Sequence, residues 1–258
     1  MNNPLVSIII PHFNQKQYLR DAIGSAINQT YPHIEIIVVD DGSTQDGVSD
    51  ELDSLSHPKL NIIRTENQGL SAARNTGIYL SKGKYILPLD SDDMISSSYV
   101  LEAVKLLESD QNLGIVYSHA VFFGEVNNYW PLPKFNEIDF LTANCIFAAA
   151  MYRKSDWRQV GGYKSDMIYG LEDYDFWLSL IEIGRKVAQL PDVHFFYRKH
   201  GISMINGMTQ EKLHYSYEKI ISRHQGLYQR NILNLIVKIG EQKRNIDSLK
   251  EGLLAQAA

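Results

Sequence analysis

The sequence has little of what defines several common protein classes. Its single cysteine, Cys145, excludes a disulfide framework and a thiolate zinc site, because both need several cysteines. We expect Cys145 to be a small buried residue. The apolar runs Leu5–Pro11 and Ile146–Tyr152 fall well short of the ~20 residues that a transmembrane helix needs. No basic region follows Met1, so we expect no secretory signal peptide and a reducing, cytoplasmic location.

Glycine-rich phosphate loops are absent as well. Neither G-x-x-x-x-G-K-[ST] nor a G-x-G-x-x-G after the first predicted strand occurs in the chain. The net charge of −5 argues against a nucleic-acid partner. This charge is uneven, because residues 211–258 contain eight Lys/Arg and five Asp/Glu, a net charge of +3, and residues 1–210 therefore carry −8. An acidic body with a basic tail indicates two separate tasks.

What is present is an ordinary globular composition with a clear alternation of elements. The chain has 258 residues, of which 44% are hydrophobic and 21% charged, which excludes a disordered chain. The predicted strands of the first half are Val6–Ile10, Ile34–Val39, Leu60–Arg64, Tyr85–Leu89 and Gly114–Tyr117. The predicted helices are Gln17–Gln29, Val48–Leu55, Ser71–Leu80 and Tyr99–Glu108. The alternation predicts right-handed βαβ units, and hence an α/β fold with a mostly parallel sheet and helices on both faces.

The second half is less regular. Glu172–Ile183 predicts a helix, whereas Lys186–Leu190 and His194–Tyr197 predict two short strands. We therefore divide the chain into a domain of residues 1–210, with halves 1–118 and 119–210, and a helical tail of residues 211–258.

The tail has a heptad pattern that spans only about two and a half heptads. Its positions are Leu235, Ile239, Gln242, Ile246, Leu249 and Leu253. Three interpretations stay open for the tail: packing on the body, pairing with a second copy of the chain, or lying on an anionic membrane through its basic residues.

Polar clusters follow three of the predicted strands. Pro11-His12-Phe13-Asn14 follows the first strand, Asp40-Asp41-Gly42-Ser43 the second and Asp90-Ser91-Asp92-Asp93 the fourth. The carboxyl ends of parallel strands meet at one edge of a sheet, and ligands bind there. Five aspartates at one edge repel each other unless a cation or hydrogen-bond donors offset their charge.

These oxygen ligands suit Mg²⁺ or Mn²⁺, with substrate phosphates completing the coordination. The alternative is that Asp and Ser begin turns and cap helices there. Two acidic clusters after strands of the same sheet favour the metal site over this alternative.

Five segments in this order resemble glycosyltransferase family 2. They are Val6–Asn14 (VSIIIPHFN), Val39–Ser43 (VDDGS), Asn67–Gly77 (NQGLSAARNTG), Leu89–Asp93 (LDSDD) and Gly170–Asp173 (GLED). The resemblance runs from about Pro4 to Ser203. It implies a GT-A-like single domain, a nucleotide-diphosphate-sugar donor, with UDP favoured over GDP or dTDP, and a divalent metal, Mn²⁺ or Mg²⁺.

The resemblance also implies roles for individual residues. Donor-binding residues would be Pro11, Phe13 and Asp41 at the base, with Asn14 in the first motif, Arg74 near the nucleotide, and Asp90 and Ser91 near the ribose. Metal ligands would be Asp92, Asp90 and His200, although His200 is equally well a surface histidine. The segment Tyr197–Ser203 resembles a mobile loop that closes over the diphosphate, where Arg198 and Lys199 would offset the charge of the leaving group.

Glu172 and Asp173 begin a predicted helix, whose dipole favours an ionised carboxylate by ~0.3–1 kcal/mol. By position alone this is an ordinary acidic first turn. The resemblance implies instead that Asp173 is the general base of an inverting transfer to a hydroxyl of a glycan or lipid-linked glycan, with Glu172 as its helper. Four aromatic residues nearby suit either a sugar ring or the core, and for Trp177 we expect the core. They are Trp157, Tyr163, Tyr169 and Trp177.

Two other interpretations of the motifs stay open. Asp90-x-Asp92-x-Met94 is close to the motif of haloacid-dehalogenase-like phosphatases, but it departs at Met94 and follows the fourth predicted strand instead of opening the fold. A non-catalytic module that binds sugar nucleotides would keep the strand-end motifs and would need no base.

Overall fold

The computed structural model describes residues 3–201 and 207–256, and the strands of this part form one sheet. In chain order the strands are β1 (Val6–His12), β2 (Ile34–Asp41), β3 (Leu60–Thr65), β4 (Tyr85–Pro88), β5 (Met94–Ile95), β6 (Leu113–Gly124), β7 (Asn128–Trp130), β8 (Met151–Arg153) and β9 (Lys186–Lys199). The helices are α1 (Lys16–Ile27), α2 (Val48–Ser54), α3 (Leu70–Leu80), α4 (Tyr99–Ser109), α5 (Glu137–Phe140), α6 (Lys154–Val160), α7 (Glu172–Glu182), α8 (Gln210–Arg223) and α9 (Gln225–Gln256).

The strand order is β3-β2-β1-β4-β8-β6-β9-β5, with β7 paired to β6. The first four strands in this order are parallel, whereas β8 runs antiparallel to both β4 and β6. The chain moves from β1 to β2 and β3 on one side and returns to β4 on the other, so the strand order reverses between β1 and β4. This reversal opens a crevice beyond the carboxyl ends of these two strands.

The first half of the sheet forms as the sequence predicts. Residues Ile8, Ile36 and Leu87 are fully buried, because helices cover both faces of the parallel strands and leave no polar face. At Gly77 a Cβ atom would lie 2.6 Å from Cγ2 of Ile9, so only glycine lets α3 pack this closely on β1. The predicted α/β class is confirmed.

The second half corrects two predictions. The short strands predicted at Lys186–Leu190 and His194–Tyr197 are one strand, β9, which pairs in parallel with β6. The predicted strand Gly114–Tyr117 also continues to Gly124. Pro191 suggested a break between two strands because proline has no N–H to donate to a neighbouring strand. The pairing register shifts between Tyr117 and His119 of β6, and this bulge accommodates the proline within one strand.

The tail packs on the body along one side. Leu227 and Leu235 of α9 are buried, the hydroxyl of Tyr228 donates to the carbonyl of Leu141, and Nζ of Lys238 lies 2.7 Å from Oδ1 of Asp139. Among the described side chains of α9, six large apolar residues are exposed: Ile232, Leu233, Ile236, Val237, Ile239 and Ile246. The side chains of Leu249 and Leu253 lie outside the described residues. In the part of the chain that the structure covers, no helix has the length and apolarity to cross a membrane.

Candidate active site

The loops after β1 and β2 are joined at the edge of the crevice. Asn14 has a φ of 54°, a left-handed conformation that Asn tolerates better than most residues. Its Oδ1 accepts hydrogen bonds from the backbone N–H groups of Thr44 and Gln45, both at 2.8 Å. Asn14 therefore holds the two predicted donor-binding loops together. Beside it, Phe13 is 44% exposed, whereas Pro11 is buried within β1.

Asp41 anchors the beginning of α3. Its Oδ1 accepts from the backbone N–H of Gln68 at 2.9 Å, and its Oδ2 accepts from that of Gly69 at 2.8 Å. The preceding Asp40 accepts from the N–H of Ser43 at 3.3 Å. The acidic pair after β2 thus fixes the walls of the crevice through backbone contacts.

Arg74 connects the two halves of the domain. Its Nη2 donates to Oδ1 of Asp90 at 2.6 Å and its Nη1 donates to Oε1 of Glu172 at 2.5 Å. The side chain of Arg74 is only 1% exposed, and the two carboxylates hold its pKa well above the usual value against the opposing effect of burial. We call this group the arginine clamp; it joins α3, the loop after β4 and the first turn of α7.

The acidic cluster after β4 is held by Gln15 and His200. The hydroxyl of Ser91 donates to Oε1 of Gln15 at 2.9 Å, and Nε2 of Gln15 donates to Oδ2 of Asp92 at 3.4 Å. The same oxygen lies 2.9 Å from Nε2 of His200. Burial and the charge of Asp90 raise the pKa of Asp92, and the hydrogen bond with His200 opposes this rise.

The end of β9 is fastened to this cluster through Arg198. The backbone N–H of Arg198 donates to Oδ1 of Asp93 at 2.8 Å, and its Nε donates to the carbonyl of Asp92 at 2.7 Å. The guanidinium lies between the rings of Tyr18 and Phe123, 4.7 and 4.3 Å from their centroids. Burial raises the pKa of Asp93 well above its usual value. Ile202 and Ser203 of the predicted mobile loop lie outside the described residues.

The three predicted metal ligands do not converge. Across residues 3–201 and 207–256, no group of three or more His, Cys, Asp or Glu side chains is arranged to hold a metal ion. Asp90 directs Oδ1 to Arg74, while Asp92 and His200 face each other. A carboxylate and an imidazole are both ligands of Mn²⁺, and Mg²⁺ commonly takes only one or two carboxylates beside substrate phosphates. The donor pair therefore fits a site that the substrate completes.

Asp173 lies in the first turn of α7. The chain enters this helix through Gly170, whose φ is 107°, and Leu171, whose φ is 65°. Oδ1 of Asp173 accepts from the backbone N–H of Tyr174 at 2.7 Å, and Oδ2 accepts from Nδ2 of Asn144 at 3.3 Å. Burial, followed by the charge of Glu172, raises the pKa of Asp173 to about 7, while Arg74 acts in the opposite direction.

The pattern of motifs has a match among known families. The family model for Glycosyl transferase family 2 matches residues 7–168. This chain belongs to glycosyl transferase family 2. A chondroitin synthase of Pasteurella multocida (strain Pm70) is 31% identical to this chain over 220 residues, which are 82% of this chain and 22% of the synthase. The chain thus spans about a fifth of that relative's length. The resemblance predicted from the sequence is confirmed.

Solved structures show the fold of this chain. S. aureus TarS 1-349 in complex with UDP-GlcNAc has a TM-score of 0.69 at 15% identity, covering 87% of this chain and 72% of that one. The mannosyltransferase PcManGT from Pyrobaculum calidifontis, in complex with GDP-Man and Mn²⁺, has a TM-score of 0.60 at 17% identity, covering 95% and 81%. The predicted GT-A fold is confirmed.

Sequence reasoning missed several residues of this site. Gln15 and Tyr18 come shortly after the first motif, and Asp93 belongs to the acidic cluster, so their places in the sequence could have identified them as site residues. Asn144 had none, because it lies in an irregular segment 29 residues before its partner. The expected core roles of Cys145 and Trp177 are confirmed by their burial. Trp157 donates from Nε1 to Oδ1 of Asn75 at 2.9 Å, and the ring of Tyr163 faces the Arg74 guanidinium 5.5 Å away.

Proposed function

We propose that this glycosyltransferase moves a sugar from a nucleotide-diphosphate sugar to a hydroxyl group of a glycan or lipid-linked glycan, with inversion at the anomeric carbon. The observation that carries the proposal is the position of Asp173. This carboxylate has a pKa of about 7 and sits beside the arginine clamp, which reaches from α7 to the acidic cluster after β4. A proton acceptor and a candidate donor site therefore share one crevice.

Asp173 is the general base of this proposal. A carboxylate with a pKa near neutrality exists partly as the anion at pH 7 and binds a proton more strongly than an ordinary Asp. It accepts the proton of the acceptor hydroxyl as that oxygen attacks the anomeric carbon and the nucleoside diphosphate leaves. One displacement of this kind inverts the anomeric centre. Glu172 contributes through Arg74, to which it is hydrogen bonded.

Asp92 and His200 would hold a divalent metal, Mn²⁺ or Mg²⁺, with the free oxygen of Asp90 at the edge of this site. The metal would supply positive charge to the leaving diphosphate. Arg198 at the end of β9 lies next to this site, because its Nε is bonded to the carbonyl of Asp92. Lys199 lies over the rings of Phe122 and Tyr197, 4.6 and 4.8 Å from their centroids.

The nucleoside of the donor would lie along the loops after β1 and β2. Phe13 offers an exposed aromatic ring for a base, and Pro11, Asn14 and Asp41 shape the loops around it. Ser91 of the acidic cluster is buried, and its hydroxyl donates to Oε1 of Gln15. We favour a UDP-sugar because S. aureus TarS, a chain of the same fold, was solved with UDP-GlcNAc.

Turnover of nucleotide sugars tests this proposal. The chain is incubated with UDP-, GDP- and dTDP-sugars and Mn²⁺, and free nucleoside diphosphate is measured, with and without a glycan acceptor. Asp173→Asn is expected to lower kcat by at least ~10²-fold, because it removes the proton acceptor, and to leave UDP affinity within about twofold. Ser165→Ala, in an exposed turn away from the crevice, is the control. Full turnover by Asp173→Asn would remove Asp173 from this role, and donor binding with no turnover by the wild type would favour the non-catalytic module.

The exposed side of α9 has a proposed role of its own. Within α9, residues 225–240 contain Arg230 and Lys238 and no Asp or Glu, and Lys238 is paired with Asp139 of the body. At 3.6 residues per turn, positions 232, 233, 236 and 237 cover roughly 140° of the helix circumference, which is wider than the a/d seam of a coiled coil. We propose that this apolar face lies on an anionic membrane surface, since a broad apolar face beside cations and without acids suits that surface.

A further inference from the structure

Asn144 lies in the irregular segment between α5 and β8 and faces the proposed base. Its Oδ1 accepts from the backbone N–H of Ile146 at 3.0 Å, and its Nδ2 donates to Oδ2 of Asp173 at 3.3 Å. The bond to Ile146 fixes the orientation of the amide and therefore determines which of its atoms faces Asp173. If the amide were turned over, its NH₂ group would face the N–H of Ile146 and its oxygen would face a carboxylate. Only one orientation satisfies both neighbours, and that orientation presents a donor to Asp173.

The segment that carries Asn144 is itself held on both sides. Cys145 and Ile146 are buried directly after it. Before it, the carbonyl of Leu141 accepts from the hydroxyl of Tyr228 on α9 at 3.1 Å. The amide of Asn144 is therefore carried by a fixed stretch of chain.

The two oxygens of Asp173 are thereby distinguished. Oδ1 is bonded to the backbone of α7 itself, through the N–H of Tyr174. Oδ2 is bonded to Asn144, from a different part of the chain, and it keeps a second lone pair for another donor. We propose that Asn144 is a positioning residue for the reaction: it fixes the plane of the Asp173 carboxylate so that Oδ2 faces the acceptor hydroxyl, and it stabilises the ionised form.

Several charged and titratable groups act on Asp173 together with Asn144. Glu172 on the same helix and Asp90 after β4 disfavour the anion, whereas Arg74 on α3 favours it. The phenol of Tyr163, from the loop after α6, also interacts electrostatically with Asp173, whose charge raises the pKa of Tyr163. Asn144 is a neutral donor among these charges. Since a hydrogen bond to the charged form lowers the pKa of a carboxylic acid, loss of the amide N–H groups raises that of Asp173.

The inference rests on the proposed function, and Asn144→Asp tests it. An aspartate keeps the oxygen that accepts from Ile146, so the segment stays folded, but it replaces the donor with a negatively charged acceptor. We expect the ascending limb of the pH profile of kcat/KM, which reports the pKa of the general base in the free enzyme, to move up by about one unit or more. The donor KM should stay within about twofold, because the donor site lies across the crevice.

Asn136→Asp is the matched control. The change in charge is the same, and Asn136 likewise accepts backbone N–H bonds, from Ile138 and Asp139, but it caps α5 and does not touch Asp173. Its pH profile should match that of the wild type. Asn144→Asp with an unmoved profile, or Asn136→Asp with an equal shift, would overturn the inference. Asp173→Asn, measured in parallel, separates the two claims, since its full turnover would overturn the general base itself.

Discussion

Individual aspartates at this crevice differ in role because their partners differ. Asp41 receives two backbone N–H groups and holds a helix in place, whereas Asp173 is raised to a pKa of about 7 by burial and by Glu172. Asp92 has two side-chain partners, Gln15 and His200, and the imidazole is a side chain that also binds metals. The chemistry of a carboxylate in this chain follows from its partners and not from its place in an Asp-rich motif.

Replacing Asp92 should therefore weaken donor binding only when a metal is present. For Asp92→Ala we expect the affinity for UDP in the presence of Mn²⁺ to fall by at least ~10-fold, about 1.4 kcal/mol, because one of the two proposed protein ligands is lost. Isothermal titration calorimetry with and without Mn²⁺ measures this. Asp50→Ala, at an exposed position of α2, is the control and should bind as the wild type does. Unchanged Mn²⁺-dependent affinity in Asp92→Ala would contradict the assignment.

At the scale of elements, the arginine clamp joins parts of the chain that lie far apart in sequence. Arg74 and Glu172 are separated by 98 residues, yet their side chains are 2.5 Å apart and almost fully buried. A buried charge that loses its partner is costly, because neither water nor another donor replaces the bond. The relative position of α3 and α7, and with it the distance between the acidic cluster and Asp173, depends on this clamp.

Arg74→Met should lower the free energy of unfolding by about 3–5 kcal/mol, since it leaves the Glu172 carboxylate buried and unpaired. Adding Glu172→Gln should recover part of this loss. Denaturant unfolding at pH 7 measures both. Arg64→Met is the control, because Arg64 and Asp53 form an exposed pair whose loss should cost at most about 1 kcal/mol. A cost for Arg74→Met no larger than that of the control would show that the clamp is not structural.

The whole molecule combines an acidic body with a basic tail that is only half covered. Leu235 of the predicted heptad seam is buried against the body, whereas Ile239 and Ile246 are exposed. The heptad seam is therefore not exposed along its whole length. The apolar face around Ile236 is wider than the exposed part of the seam.

Vesicle binding tests the proposed role of α9. The wild type should co-sediment with vesicles rich in phosphatidylglycerol and much less with pure phosphatidylcholine, because the cations favour anionic lipid. Ile236→Asp should reduce binding by at least ~10-fold, since it places a charge on the apolar face. Asn234→Asp makes the same change in charge on the other side of the helix and should reduce binding much less. Equal losses of binding in both variants would contradict the membrane proposal. So would a wild type that binds no vesicles and forms a dimer that Ile236→Asp dissociates.

The sequence alone determined the first half of the fold and the family. Buried β-strands and helical periods are local patterns, so β1 to β4 and α1 to α4 were predictable from periodicity and strand-end motifs. The resemblance to the family gave two further expectations: Asp173 as general base and a metal at the acidic cluster after β4. Neither the continuity of β9 across Pro191 nor the insertion of β8 between β4 and β6 followed from local patterns, because both depend on pairing partners far along the chain.

Only the tertiary structure decided which side chains meet. Arg74 bridges Asp90 and Glu172, Gln15 reaches the acidic cluster, and Asn144 faces Asp173. Each of these contacts joins residues that are 16 to 98 positions apart in the sequence. A local sequence pattern records propensity and burial, which act over a few residues. Hydrogen-bond geometry and desolvation depend on what the folded chain brings alongside, and these set the pKa and orientation of the groups at the crevice.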